Sequence, residues 1–190
     1  MFKESITKEE LIDLPLRWFS GDIYIIDKPE QVKDVAEFLS TRSIIGFDTE
    51  TRPSFKKGVI NRVALLQLST ENEAFLIRVN KLGLPAPIRN ILASPDIIKA
   101  GVAIRDDIKA LQGIAKFNPA GFIELQDHAK DLGIQNFSLK KLAAIVLGFR
   151  ISKSQQLSNW EAEELTEAQK IYAATDAWTS LIIYQNFSNN

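Results

Sequence analysis

The sequence predicts an α/β domain in which helices flank a mixed sheet. Compact apolar stretches at 22–26, 43–47, 62–69 and 73–79 read as strands, and the middle ones follow each other like hairpin arms. After them, strand-like and helix-like segments alternate, which calls for parallel pairing and helical cover. No repeat, low-complexity tract or Pro/Gly/Ser-rich linker interrupts the 190 residues, a length suited to one domain.

Residues 1–20 read as a leader packed on the domain through Leu11, Leu14, Leu16, Trp18 and Phe19, and residues 21–190 as a single domain. Gly21 opens the first strand. Asp27 and Pro29 then start a helix whose apolar positions Val32, Val35, Ala36 and Leu39 keep helical spacing. A polar loop with Arg52, Lys56, Lys57 and Gly58 separates the second and third strands. Helix is expected at 86–93, strand at 97–100, helix at 103–115 and short elements over 122–132. Ser138 reads as the N-cap of a helix running to 147. The last helix starts at Thr166, where Thr166 and Gln169 can form a capping box, and runs to about 186.

Composition excludes several chemistries. There is no cysteine, so disulfides, thiolate zinc sites and a cysteine nucleophile are ruled out. The lone His128 cannot build a histidine-rich metal centre. Any metal must be held mainly by oxygen, which favours magnesium or manganese. The charged start, Met1 to Glu10, has no apolar core of a secretory signal. The longest apolar stretch, 142–149, is far too short to span a bilayer, so a cytoplasmic location without membrane contact is expected. A net charge of −1 argues against coating a long duplex but permits gripping one strand end.

Three carboxylate-bearing segments carry the chemistry. In Ile44-Ile45-Gly46-Phe47-Asp48-Thr49-Glu50 the acids are two residues apart in a strand and share one face. Their repulsion calls for a cation if both ionise; alone, the pair also fits a solvated surface. In Ala103-Ile104-Arg105-Asp106-Asp107, the stripe Ile104, Ile108, Leu111, Ala115 places Asp107 on its flank and Asp106 nearly opposite. Asp107 can thus reach the sheet's edge, or be an ordinary boundary acid. In Ile171-Tyr172-Ala173-Ala174-Thr175-Asp176, Tyr172 and Asp176 stack at i, i+4 beside an apolar row of Ile171, Trp178 and Ile182. A buried tyrosine next to a surface acid is the plainer account of that pair.

Taken together, these segments resemble the three motifs of the DEDD, or DnaQ-like, 3′→5′ exonuclease superfamily, in its ribonuclease D and Werner-syndrome-type branch. Phe47-Asp48-Thr49-Glu50, followed by Val63-Ala64-Leu65-Leu66-Gln67-Leu68, is similar to the first motif. Lys99-Ala100-Gly101-Val102 with Asp107 is similar to the second. Ser158-Asn159-Trp160, Leu165 to Lys170 and Tyr172 to Ala177 are similar to the third and its approach. The resemblance spans about 22–186. A sister branch carries histidine five residues before the last aspartate; Ile171 stands there, so this is the tyrosine subtype, and His128 is expected to be structural or on the surface.

The resemblance implies a ribonuclease H-like fold with a mixed five-stranded sheet, one strand antiparallel. It further implies that Asp48, Glu50, Asp107 and Asp176 hold two divalent cations, Mg2+ or Mn2+, with Tyr172 orienting the attacking water. The substrate would be the 3′ end of a nucleic acid, DNA or RNA and single-stranded, shortened by one nucleotide at a time. Arg52, Lys56, Lys57 and Arg62 are candidates for phosphate contacts, although a solvated loop explains them at least as well; Trp160 and Phe55 are candidates for stacking on a terminal base, although core or surface packing is the better account of both. No helicase, polymerase or helical nucleic-acid-binding domain accompanies the motifs, so the expectation is either a protein partner that supplies processivity and substrate choice or action on short or single-stranded ends. Two other readings share the fold: a non-catalytic nucleic-acid- or protein-binding module, and an endonuclease.

Overall fold

The structure, a computed structural model, describes residues 2–53 and 61–188. A short helix, α1 (Lys8–Asp13), opens the chain behind a capping box in which Thr7 Oγ1 accepts from Glu10 N and Glu10 Oε2 accepts from Thr7 N. Strand β1 (Asp22–Ile26) leads to helix α2 (Gln31–Ser40), which buries Val32, Val35, Ala36 and Leu39, the four positions that its periodicity singles out. Strands β2 (Ile44–Thr51), β3 (Val63–Ser69) and β4 (Glu73–Ile77) follow. A single helical turn, α3 (Val79–Leu82), and helix α4 (Ala86–Ala93) precede strand β5 (Ile98–Gly101) and helix α5 (Ile104–Ile114). Strand β6 (Phe122–Glu124), helix α6 (Leu125–Asp131), the turn α7 (Leu139–Leu142) and the long helix α8 (Glu167–Ser188) complete the chain.

The strands form one sheet in the order β1-β4-β3-β2-β5-β6, in which β3 alone runs antiparallel to its neighbours β2 and β4. The sheet is mixed, flanked by helices and contains one antiparallel strand, as expected. It has six strands rather than five. The additional strand, β6, is three residues long, too short for side-chain alternation to declare it. β3 lies at the centre and is buried along its whole length, which explains its unbroken apolar run.

Helices pack on both faces. One core layer joins α2, α4 and α5 to the sheet through Phe47, Leu66, Leu68, Ile88, Ile104 and Leu111. On the opposite face α8 covers Ala64, Leu65 and Ala74 with Tyr172, Ala173 and Ala174. The leader is tied down at several points. Leu11 and Leu14 pack with Ala144 and Ile145, Pro15 and Arg17 exchange backbone hydrogen bonds with Arg150, and the Phe19 amide donates to Thr175 Oγ1. Phe19 is buried, whereas Leu16 and Trp18 are exposed.

Two local expectations change. The helix read from Ser138 to 147 is a single α-turn that widens into a π-helical turn over Ala143–Leu147 and stops at Gly148, whose φ is 70°. The wider turn carries Ala143 and Ala144 into buried contacts, which periodicity cannot foresee. The strand read over 73–79 ends at Ile77 because Arg78 turns inward. The Arg78 guanidinium is buried and donates to the carbonyls of Ala162 and Glu163, anchoring the segment that leads into α8.

Gly46 decides how closely α8 can approach the sheet. A Cβ at this position would sit 1.9 Å from the Ala177 carbonyl oxygen and 2.6 Å from Ser69 Oγ. Backbone meets backbone there, with no side chain free to give way. Gly46→Ala is therefore expected to cost about 1–3 kcal/mol through overpacking. At this chain length that lowers Tm by roughly 2–4 °C per kcal/mol. Thermal denaturation checks it, and a variant that melts with the parent removes this contact from the account.

Candidate active site

The site forms where β2 runs out beneath α8. Asp48 and Glu50 lie on the face of β2 that α8 covers, two residues apart as the strand repeat requires. Gly46 precedes them on that face and Ala177 follows Asp176, so the close packing at Gly46 brings Asp176 over the two strand acids. Carboxylate oxygens of Asp48, Glu50 and Asp176 lie within 4.8 Å of one another. The β2–β3 register shifts between Glu50 and Thr51, a bulge immediately beside the acid pair that ends regular pairing at the site.

Asp107 arrives from the other side of the sheet. Helix α5 packs on the face bearing Phe47, and its Asp107 accepts a hydrogen bond of 2.6 Å from Thr49 Oγ1. It stands outside the tight group of three, yet its charge acts on both Asp48 and Glu50. Asp106 points into solvent and pairs with Lys109 at 3.2 Å, in agreement with the helical geometry that separates the two aspartates. The start of α5 is shaped by Ala103, whose φ of 61° is the left-handed conformation that costs a non-glycine residue about 1 kcal/mol or more. The Glu124 carboxylate holds that turn, accepting from the amides of Ala103 and Ile104 at 2.8 and 2.9 Å.

Burial and mutual repulsion dominate the electrostatics. Burial, then the charges of Asp176, Glu50 and Asp107, hold Asp48 well above the usual carboxylate range. Glu50 is pushed up to about 9 by burial and by Asp176 and Asp107. Asp176 rises to about 7 through burial, opposed by the Tyr172 hydroxyl and the charge of Lys153. Burial also raises Asp107, against the Thr49 hydrogen bond. Tyr172, one helical turn before Asp176 and hydrogen-bonded to it, is driven upward by burial and the surrounding carboxylates. It is thus a proton donor rather than a base.

Asp48, Thr49, Glu50, Tyr172 and Asp176 line a cavity of about 260 Å³. Its wall opposite the acids carries Lys140 and Lys153, and neither lysine pairs with a carboxylate among the described residues. Of the loop singled out from the sequence, the structure describes only Arg52 and Arg62 among the basic residues. Arg52 is engaged with Glu161 at 3.4 Å, and neither Arg52 nor Arg62 lines the cavity. Lys56, Lys57 and Phe55 lie outside the described residues. Trp160 is a correction: it is fully buried, its ring 5.9 Å from that of Tyr172, so it cannot stack on a base. Its large ring fills the space between the sheet and α8 and supports Tyr172 instead. Lys99 is also buried, donating to the Ser94 and Ile97 carbonyls away from the acids. His128 is exposed and contacts the rings of Tyr184 and Phe187.

Sequence reasoning missed Thr49, Glu124, Lys140 and Lys153. Thr49 had a visible signal, since the residue between two same-face acids must face the opposite layer. Gln67 also belongs beside the site. It stands directly across from Asp48 on β3, buried, with no side-chain hydrogen bond among the described residues.

The profile of the 3'-5' exonuclease family matches residues 23–190. The chain is 34% identical over 198 residues to the bifunctional 3'-5' exonuclease/ATP-dependent helicase WRN of Mus musculus, covering 98% of this chain and 14% of that protein. It is 27% identical over 166 residues to ribonuclease D of Gluconacetobacter diazotrophicus, covering 86% of this chain and 42% of that protein. The crystal structure of the Aedes aegypti Nibbler EXO domain matches with a TM-score of 0.81 at 26% identity, over 91% of each chain. The chain thus spans well under half of the two curated relatives. The fold is ribonuclease H-like, and with a family match over residues 23–190 the chain belongs to the 3'-5' exonuclease family, in the branch that holds ribonuclease D and the Werner-type exonuclease.

Proposed function

We propose that the chain is a metal-dependent 3′→5′ exonuclease that releases nucleoside monophosphates from single-stranded DNA or RNA ends, using two Mg2+ or Mn2+ ions. The observation that carries this reading is the convergence of Asp48, Glu50 and Asp176 within 4.8 Å, with Asp107 and Tyr172 beside them. Buried Asp176 and half-buried Asp48 and Glu50 form no ion pair with a lysine or arginine among the described residues, and oxygen-only donors suit hard divalent cations. Asp48, Glu50, Asp107 and Asp176 would hold the ions. When bound, such ions activate the attacking water and stabilise the leaving 3′ oxygen.

The chain's own residues supply orientation and charge. Tyr172 keeps its proton and can direct a hydrogen bond at the water, with Trp160 fixing its ring. Thr49 orients Asp107. Lys140 and Lys153, across the cavity, face the negative phosphate oxygens of a bound strand. Two rim lysines on a chain of net charge −1 suit a strand end rather than a long duplex.

Digestion of 5′-labelled single-stranded DNA and RNA tests the reading. A ladder shortening from the 3′ end is expected with Mg2+ or Mn2+, and none with EDTA or in the Asp48→Ala/Glu50→Ala double variant. Internal fragments would indicate an endonuclease; intact strands with either metal would leave a binding module. In the same assay Asp107→Asn should lose about 10²-fold or more, while Asp106→Asn, in solvent, should stay near the parent rate. Tyr172→Phe should lower turnover by about 10²-fold or more with calorimetric metal binding intact; lost metal binding would contradict the orienting role.

The raised carboxylates give a pH signature. Without cations, the folded chain binds more protons than the unfolded chain between about pH 4 and about pH 9, because Asp176 and Glu50 titrate near 7 and 9 instead of near 4. Stability then falls as pH rises through that window. Tm in EDTA should decline from about pH 5 to about pH 9. Added Mg2+ should raise Tm far more at the alkaline end, and Glu50→Gln should flatten the decline. A Tm in EDTA that climbs with pH across this range would refute the repulsive cluster.

A further inference from the structure

A second groove opens on the far side of Tyr172 from the acids, between the leader, the chain around Ser152 and α8. It encloses about 200 Å³ and shares Tyr172 and Ser152 with the acid-lined cavity, so the two adjoin. Its walls are mainly apolar: Leu16 and Trp18 from the leader, Ile171 from α8. Trp18 is 56% exposed, and its ring meets no other aromatic ring among the described residues, unlike Phe19 and Trp178 next to it. Arg17 also lines the groove, exposed and without an ion pair among the described residues.

Large exposed rings cost solvation, and the leader presents this one at a fixed place. The backbone on either side is pinned, by the Arg17 amide on the Arg150 carbonyl at 2.9 Å and the Phe19 amide on Thr175 at 3.0 Å. Trp18 is therefore held rather than trailing. A flat ring, a neighbouring guanidinium without an ion pair among the described residues and a border shared with the acid-lined cavity are the elements of a single-strand platform, where bases stack and a cation follows the backbone.

We propose that this groove is a nucleobase subsite: a base of the strand whose scissile phosphate lies at the acids stacks on Trp18, and Arg17 contacts the adjoining phosphate. This rests on the exonuclease reading of the acid site and adds to it a base-binding role for the leader. Stacking tolerates any base, so the subsite gives grip without sequence preference. A nucleic-acid strand suits the groove better than an apolar peptide because Arg17 and the rim lysines offer positive charge along one path.

Tryptophan emission provides the test. In the Asp107→Asn background, which preserves the strand, a thymidine or uridine decanucleotide with Mg2+ is expected to quench Trp18. The quench should vanish in Trp18→Phe, while Trp160 and Trp178 still emit. Trp18→Ala should weaken decanucleotide binding, read by anisotropy, by roughly 5- to 150-fold, since one base stack is worth about 1–3 kcal/mol. Trp18→Phe should recover much of the loss, because a ring remains. Ile12→Ala, a change at a more exposed apolar residue elsewhere in the leader, should bind like the parent. Circular dichroism of each variant establishes that it is folded. Equal binding by Trp18→Ala and parent overturns the subsite while leaving the exonuclease reading intact, provided the parent cleaves. Trp18 emission that ignores the decanucleotide but shifts with a leucine-containing peptide gives the groove to a protein and overturns the proposal. A parent that neither cleaves nor binds strands removes both readings together.

Discussion

The close approach of α8 to β2 over Gly46 is the contact on which the rest of the site depends. A side chain there would strike the Ala177 backbone, so glycine allows the helix to lie directly on the strand. Asp176 is the next residue along the helix and Asp48 is two residues along the strand. The same contact that closes the core therefore forces carboxylates together. Apolar burial holds them, since Ala173, Ala174 and Ala177 are fully buried around the helix and small enough to permit the approach. The cluster is a local cost carried by the packing of the whole layer.

Around that contact the fold adds supports from separate parts of the chain. Arg78, buried at the end of β4, holds the carbonyls of Ala162 and Glu163 and so fixes the segment entering α8. Trp160, in that segment, backs Tyr172. The Thr166–Gln169 capping box then starts the helix, with Gln169 Oε1 accepting from Thr166 N and Thr166 Oγ1 accepting from Gln169 N. From the opposite face, Glu124 holds the strained turn at Ala103 and Thr49 holds Asp107. The acids are thus positioned from both sides of the sheet, and a disturbance of either layer would reach them.

Electrostatics runs against this packing. Every carboxylate in the site is raised by burial, and three feel one another's charge directly. That arrangement is poorly suited to a solvated surface role and well suited to cations that bridge acids and a phosphate. On the proposed exonuclease reading, Lys140 and Lys153 would grip a strand that the acids hydrolyse, and the proposed leader subsite at Trp18 and Arg17 would extend that grip.

Much of this was legible from residue order. The strand repeat alone puts Asp48 and Glu50 on one face, the helical repeat alone separates solvated Asp106 from Asp107, and i, i+4 spacing alone stacks Tyr172 on Asp176. The capping box at Thr166 and the buried stripe of α2 were equally readable, because each is set by neighbours a few residues away. What the tertiary structure decided involves residues distant in sequence. Trp160 became core rather than a base contact; Lys140 and Lys153 came to line the cavity that holds the acids; β6 joined the sheet; and the helix after Ser138 widened at Ala143. The physical reason is range: backbone geometry dictates which side chains share a face, whereas what that face meets is chosen by packing between elements that the local sequence does not describe.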